Sequence, residues 1–202
     1  PALISQTPEP GRLRSWLRDN GSRSRGTGRI VTRHGRIGAG HCILETIEAL
    51  AKLPEDTEFV VIGRGEMDYE RACLARASDL GMEQRVFFHP FVPRDEMLEL
   101  LVDGDAGSGL YAAGTINTDS PAPNKVYENL ALGVPVVVWD RGSLADDVGG
   151  TAYGAVVPYG SIDGLSSAFG RLLYDDESRR ASKEAARAAH LARFNYQTQL
   201  AG

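Results

Sequence analysis

Short β-branched runs alternate with longer stretches of helical periodicity along nearly the whole chain, and that alternation leaves few folds open. Arg29-Ile30-Val31-Thr32-Arg33-His34 reads as a strand stopped by Gly35, and Ile43, Leu44, Ile47, Leu50 and Ala51 mark one helix face before Pro54. Glu58 to Ile62 is a near-continuous apolar run ahead of Gly63-Arg64-Gly65, the pattern of a parallel strand covered on both faces. A polar helix over 66–80, a strand over 85–88 and a helix opened by Pro93 follow. Residues 104–111 read as a weaker fourth strand diluted by glycine, and 112–123 as a polar loop. A helix over 123–132 ends at Gly133, 134–139 is a fifth strand, and a short helix over 143–148 precedes a last strand at 155–157. Helices at 161–174 and 176–193 complete the chain. Strand–helix alternation with short connections predicts an α/β fold: a doubly wound, Rossmann-like parallel sheet of about six strands with helices on both faces. Residues 1–28 read as a lead-in, with a short helix over Arg12–Arg18 and a Gly/Ser/Arg loop, ahead of a domain spanning 29–202.

Composition narrows the function classes. The formal net charge of -5 across 202 residues argues against nucleic-acid binding, although basic residues gather between Arg12 and Arg36. Cys42 and Cys73 belong to no metal-spacing pattern and are expected as reduced, partly buried thiols in a cytoplasmic protein. No apolar run approaches the roughly 20 residues that span a bilayer. The start, Pro-Ala-Leu-Ile-Ser, has neither a signal peptide's pattern nor an initiating Met, and reads as the middle of a longer chain.

In an open α/β sheet, ligands bind outside the C-terminal ends of the strands, which directs attention to three loops. Gly35-Arg36-Ile37-Gly38-Ala39-Gly40-His41 lets the backbone approach a ligand beside a helix start, and Arg36 suits phosphate. A tight strand-to-helix turn explains the same residues equally well. Gly63-Arg64-Gly65 is a weaker signal of the same kind. The run has Gly-x-x-Gly-x-Gly rather than the dinucleotide fingerprint Gly-x-Gly-x-x-Gly, and Gly63 stands where a ribose-binding acid would end the second strand. A nicotinamide-dependent oxidoreductase is therefore disfavoured. The third stretch is Ser120-Pro121-Ala122-Pro123-Asn124-Lys125-Val126-Tyr127-Glu128-Asn129-Leu130-Ala131-Leu132-Gly133-Val134-Pro135-Val136-Val137-Val138. Lys125 and Glu128 share a helix face, either as a surface pair or with the carboxylate accepting the two hydroxyls of a ribose. Spacing does not choose between them.

This last stretch resembles the signature helix of the retaining glycosyltransferases grouped as family 4. His34-Gly35-Arg36-Ile37, Leu44-Glu45-Thr46-Ile47-Glu48-Ala49-Leu50, Val60-Val61-Ile62-Gly63-Arg64-Gly65 and Arg85-Val86-Phe87-Phe88 fall in the family's order, so the resemblance covers roughly residues 30–175. It implies the GT-B fold, two Rossmann-like domains facing across a cleft, with this chain as the C-terminal, donor-binding one. By the same resemblance, Glu128 takes the ribose hydroxyls and Arg36 meets the diphosphate. Lys125 and Asn124 lie at the mouth of the site, with Gly35 and Gly63 beside it, and the backbone at Phe91 and Val92 lies near the nucleobase. The implied substrate is a nucleoside-diphosphate sugar, with no cofactor and no metal. The implied partners are an N-terminal domain absent from this chain and a sugar, glycan or lipid-linked acceptor; a membrane surface is reached, if at all, through that other half.

Two positions depart from the pattern. Ser120, beside Asp119, stands where the family often has a second glutamate, and His41 stands where it usually has a lysine. A histidine titrating near neutrality would give weaker, pH-sensitive phosphate neutralisation. The expected activity is sugar transfer with retention, weak or absent in this half alone. The alternative is a non-catalytic nucleotide-binding domain of the same fold.

Overall fold

The computed structural model describes residues 2–114 and 124–200. Six strands, β1 (Arg29–Ile37), β2 (Thr57–Gly65), β3 (Val86–His89), β4 (Ala106–Ser108), β5 (Val136–Trp139) and β6 (Gly154–Val157), form one sheet in the order β3-β2-β1-β4-β5-β6. Every pairing is parallel. The helices are α1 (Arg12–Asp19), α2 (Ile43–Leu50), α3 (Met67–Asp79), α4 (Arg94–Leu101), α5 (Asn124–Ala131), α6 (Gly142–Val148), α7 (Ile162–Tyr174), α8 (Asp176–Ala192) and α9 (Tyr196–Leu200), with a 3-10 turn at Ala39–His41. The expected doubly wound architecture is present.

Strand periodicity divides the core. Val31, Phe59, Val61, Val137, Trp139 and Val157 face one way, onto α2, α3 and α7. Ile30, Val60 and Ile62 face the other way onto α1 and α4, while Val136 and Val138 meet α5, α6 and α8. Burial on both faces explains why Phe59 to Ile62 carries no polar alternation.

Three expectations are corrected. Gly35 and Gly63 do not stop their strands: β1 runs to Ile37 and β2 to Gly65, with Gly35 opposite Gly63 and Ile37 opposite Gly65. A Cβ on Gly63 would sit 1.9 Å from the Gly35 carbonyl oxygen, and one on Gly65 would sit 1.9 Å from that of Ile37. The glycines keep two backbones paired at a separation that side chains forbid. β4 is shorter than 104–111, because Gly104 still belongs to the turn after α4, its N–H bonded to the Leu101 carbonyl.

The boundary expected at residue 28 marks no break in packing. Leu13 and Leu17 of α1 are fully buried in the cluster shared with α4. Asp103 caps α1 from across the fold, accepting the N–H groups of Gly11 at 2.6 Å, Leu13 at 2.8 Å and Arg14 at 3.1 Å. Arg14 in turn reaches Asp105 at 3.3 Å, and the same carboxylate accepts the Ile30 N–H of β1 at 3.0 Å and meets Lys183 of α8 at 3.2 Å. Both cysteines are buried free thiols. Among the described residues, no helix is long and apolar enough to cross a membrane.

Candidate functional site

The strand order reverses between β1 and β4, and an open parallel sheet of this kind opens a crevice above that switch point. The residues at its mouth come from the end of β1, the segment after β4 and the first turn of α5. A Cβ on Gly35 would lie 3.5 Å from Lys125 Nζ, so the lysine reaches from α5 across the end of β1. Lys125 Nζ also lies 4.8 Å from the centre of the Tyr111 ring, and His41 meets that ring edge-on at 5.6 Å.

Glu128, one turn along α5, is 5 % exposed and pairs with neither Lys125 nor another surface cation of its helix. Its Oε2 lies 3.0 Å from His34 Nε2 and its Oε1 accepts from Arg94 Nε at 2.9 Å. Burial opposes the carboxylate charge, but the bonds from His34 and Arg94 outweigh it and hold the carboxyl below its usual range. Burial also pushes His34 down, so its neutral ring donates through Nε2 and leaves Nδ1 buried without a partner among the described residues. Among the described residues each carboxylate oxygen has one side-chain partner and keeps acceptor capacity. This is an oriented, ionised acceptor at the crevice rather than a surface pair.

Arg36 is exposed and bonds Glu66 at 3.4 Å. His41 is pushed down to about 3 by burial and by the nearby positive charges of Arg33, Lys125 and Arg36. It is therefore neutral at pH 7, which corrects the expectation of a histidine titrating near neutrality. Gly63 faces Gly35 at the strand ends. Phe91 is 56 % exposed beyond β3, with the Arg64 guanidinium 4.6 Å from its ring centre, while Val92 packs partly buried beside α4. Asn124 is exposed at the start of α5. Ser120, with Asp119, lies outside the described residues.

The sequence had passed over Arg33, Tyr111 and Arg94. Arg33 is 1 % exposed and donates through Nη1 to the carbonyls of Ser108 and Leu110, each at 3.0 Å. The available signal was a charge at an inward position of a core strand. Arg94 carried none, since a first-turn arginine is ordinary. Among the described residues, no group of three or more His, Cys, Asp or Glu side chains gathers as a metal site would.

The family model described as glycosyl transferases group 1 matches residues 17–189. A GDP-mannose-dependent α-(1-6)-phosphatidylinositol monomannoside mannosyltransferase from Mycolicibacterium smegmatis is 28% identical over 175 residues, 86% of this chain and 44% of the relative. Anabaena HepE, solved in complex with UDP, superposes with a TM-score of 0.80 at 22% identity, over 96% of this chain and 52% of that one. The C-terminal domain of LpcC, a glycosyl transferase group 1 family protein from Francisella tularensis, matches with a TM-score of 0.77 at 18% identity, over 98% of this chain and 100% of that one. The chain thus spans about half the length of the mannosyltransferase and of HepE.

Proposed function

Since the chain belongs to the glycosyl transferases group 1 family, we propose that its crevice binds a nucleoside-diphosphate sugar and serves as the donor half of a GT-B enzyme that transfers the sugar with retention. The observation that carries this reading is the ionised, buried Glu128 at the switch point, one turn from Lys125. A carboxylate held by His34 and Arg94 at a fixed angle is suited to a vicinal diol, and two ribose hydroxyls can donate to its remaining lone pairs. Lys125 and Arg36 supply cations on either side of Gly35, where a diphosphate would approach bare backbone. Exposed Phe91, with Arg64 stacked on it, offers a flat surface for the base. The named relatives use GDP-mannose in one case and bind UDP in the other, so guanosine and uridine conjugates are the donors to try first.

In this reading the chemistry is departure of a nucleoside diphosphate from the anomeric carbon. The cations are placed to stabilise charge that grows on the leaving oxygen, and they count only as far as they act more strongly in the transition state. The acceptor is proposed to sit against a second domain outside these residues, in keeping with the share of each relative that the chain covers. The 202 residues are therefore expected to bind donor and to transfer or hydrolyse it slowly. Incubation with radiolabelled GDP-mannose and UDP-glucose, with and without the full-length protein, tests this. Rapid transfer by the 202 residues alone would contradict it.

A second reading, a non-catalytic nucleotide-binding domain, draws on the neutral His41 and on Arg36 being bonded to Glu66. A full-length protein that binds donor but neither transfers nor hydrolyses it would favour that reading.

A further inference from the structure

Arg33 is a buried charge that the donor site as described does not use. Its side chain rises from β1 under the crevice, and its Nε and Nη2 have no partner among the described residues. Its Nη1 bonds two backbone carbonyls, Ser108 and Leu110, and it forms no salt bridge among the described residues. An unpaired buried ion is expensive, and its field is poorly screened. The guanidinium Cζ lies 5.3 Å from the centre of the same Tyr111 ring on which Lys125 Nζ rests at 4.8 Å. The two side chains thus share one aromatic ring, and among the described residues the carboxylates that act on them are Glu45 of α2, on Arg33, and Glu128, on Lys125.

Among the described residues, the groups facing Lys125 do not offset this. Arg33, His34 and Arg36 come from β1, His41 from the 3-10 turn and Tyr111 from the segment after β4. Glu128, on its own helix, has its charge engaged by His34 and by Arg94 of α4. A guanidinium does not give up its proton in a protein, whereas an amine does so readily when buried beside another cation.

We propose that Arg33 makes phosphate binding in this crevice proton-linked: a nucleoside-diphosphate group enters together with one proton, which the Lys125 amine takes from solvent to become the ammonium that contacts phosphate. This rests on the donor reading of the crevice. Arg33 is a positioning residue, and its fixed charge adds to burial in keeping a second cation from forming before the anion arrives. Burial and the Arg33 charge push Lys125 down to about 6 against a smaller opposing effect of Glu128, which agrees with the geometry. The diphosphate's negative charge reverses the sign of the field at Nζ, and the amine is then protonated at neutral pH.

The chain has three lysines, Lys52, Lys125 and Lys183, so 13C reductive methylation gives three lysine resonances beside that of the terminal amine, and loss of one in Lys125→Arg identifies the relevant one. The expected result is that Lys125 titrates near neutrality in the nucleotide-free protein, well below the other two. Arg33→Met and, should that variant fold poorly, Arg33→Gln move it upward toward their range. Calorimetry with UDP-glucose and GDP-mannose at pH 7.5, in buffers of different ionisation enthalpy, is expected to register uptake of about one proton per donor bound, absent in Lys125→Arg. The phosphates of these conjugates do not titrate there, so the proton is not theirs. Lys125 titrating with the other lysines, or donor binding without proton uptake, would overturn the proposal. If neither donor binds while Lys125 still titrates near neutrality, the donor reading has failed and the proposal with it, but the Arg33–Lys125 coupling stands.

Discussion

At the scale of single residues, two kinds of position decide this molecule. Glycines at the ends of β1 and β2 act through what they lack. Gly63→Ala would drive a methyl group into the Gly35 carbonyl, where the nearest atoms are Gly35 backbone and no flexible side chain is there to yield. The cost is expected to be at least ~3 kcal/mol, since a strained position and a lost strand pairing add together. Thermal unfolding of the variant checks this, and a midpoint within a degree of the parent would refute it. Charged residues at the crevice act through their surroundings. Lys125 and Glu128 were legible as a pair on one helix face, but whether they met each other depended on His34, Arg94 and Tyr111, which lie far off in sequence. Helical spacing reports a shared face and nothing of what approaches it from another element. That is also why His41 looked like a group that titrates near neutrality, while burial and neighbouring cations make it neutral.

At the scale of elements, periodicity carried most of the information. The order of strands and helices followed from apolar runs and their glycine and proline stops, because sheet burial on two faces and helix burial on one leave different patterns. Ends were less legible. β1 and β2 continue through glycines that locally read as stops, because the paired strand supplies the hydrogen bonds that the isolated segment lacks. The role of α1 was hidden for a similar reason: its cap comes from Asp103, some 90 positions away, rather than from Gly11 before it. Asp103→Ala removes three backbone partners at once from a buried site. A loss of about 2 kcal/mol is expected, from the lost cap and the orphaned N–H groups. This corresponds to a fall of roughly 4–8 °C in the unfolding midpoint. An unchanged midpoint would mean that α1 is held by Leu13 and Leu17 alone.

At the scale of the whole molecule, the sheet order puts a crevice between β1 and β4, and three separate stretches of chain bring Gly35, Tyr111, Lys125 and Glu128 to it. A fold of this class hosts many chemistries, so the case for sugar-nucleotide binding rests on those side chains and on family membership, not on the architecture. The most direct test is calorimetric titration of the protein with GDP, UDP, GDP-mannose and UDP-glucose, beside Glu128→Gln, in which the carboxylate becomes an amide of the same shape. Selective binding of one nucleotide, weakened by about 10–100-fold in the variant as a charged hydrogen-bond acceptor is lost, is the predicted result. Equal affinity in parent and variant would contradict the assignment of Glu128 to the ribose, and with it the account of the site.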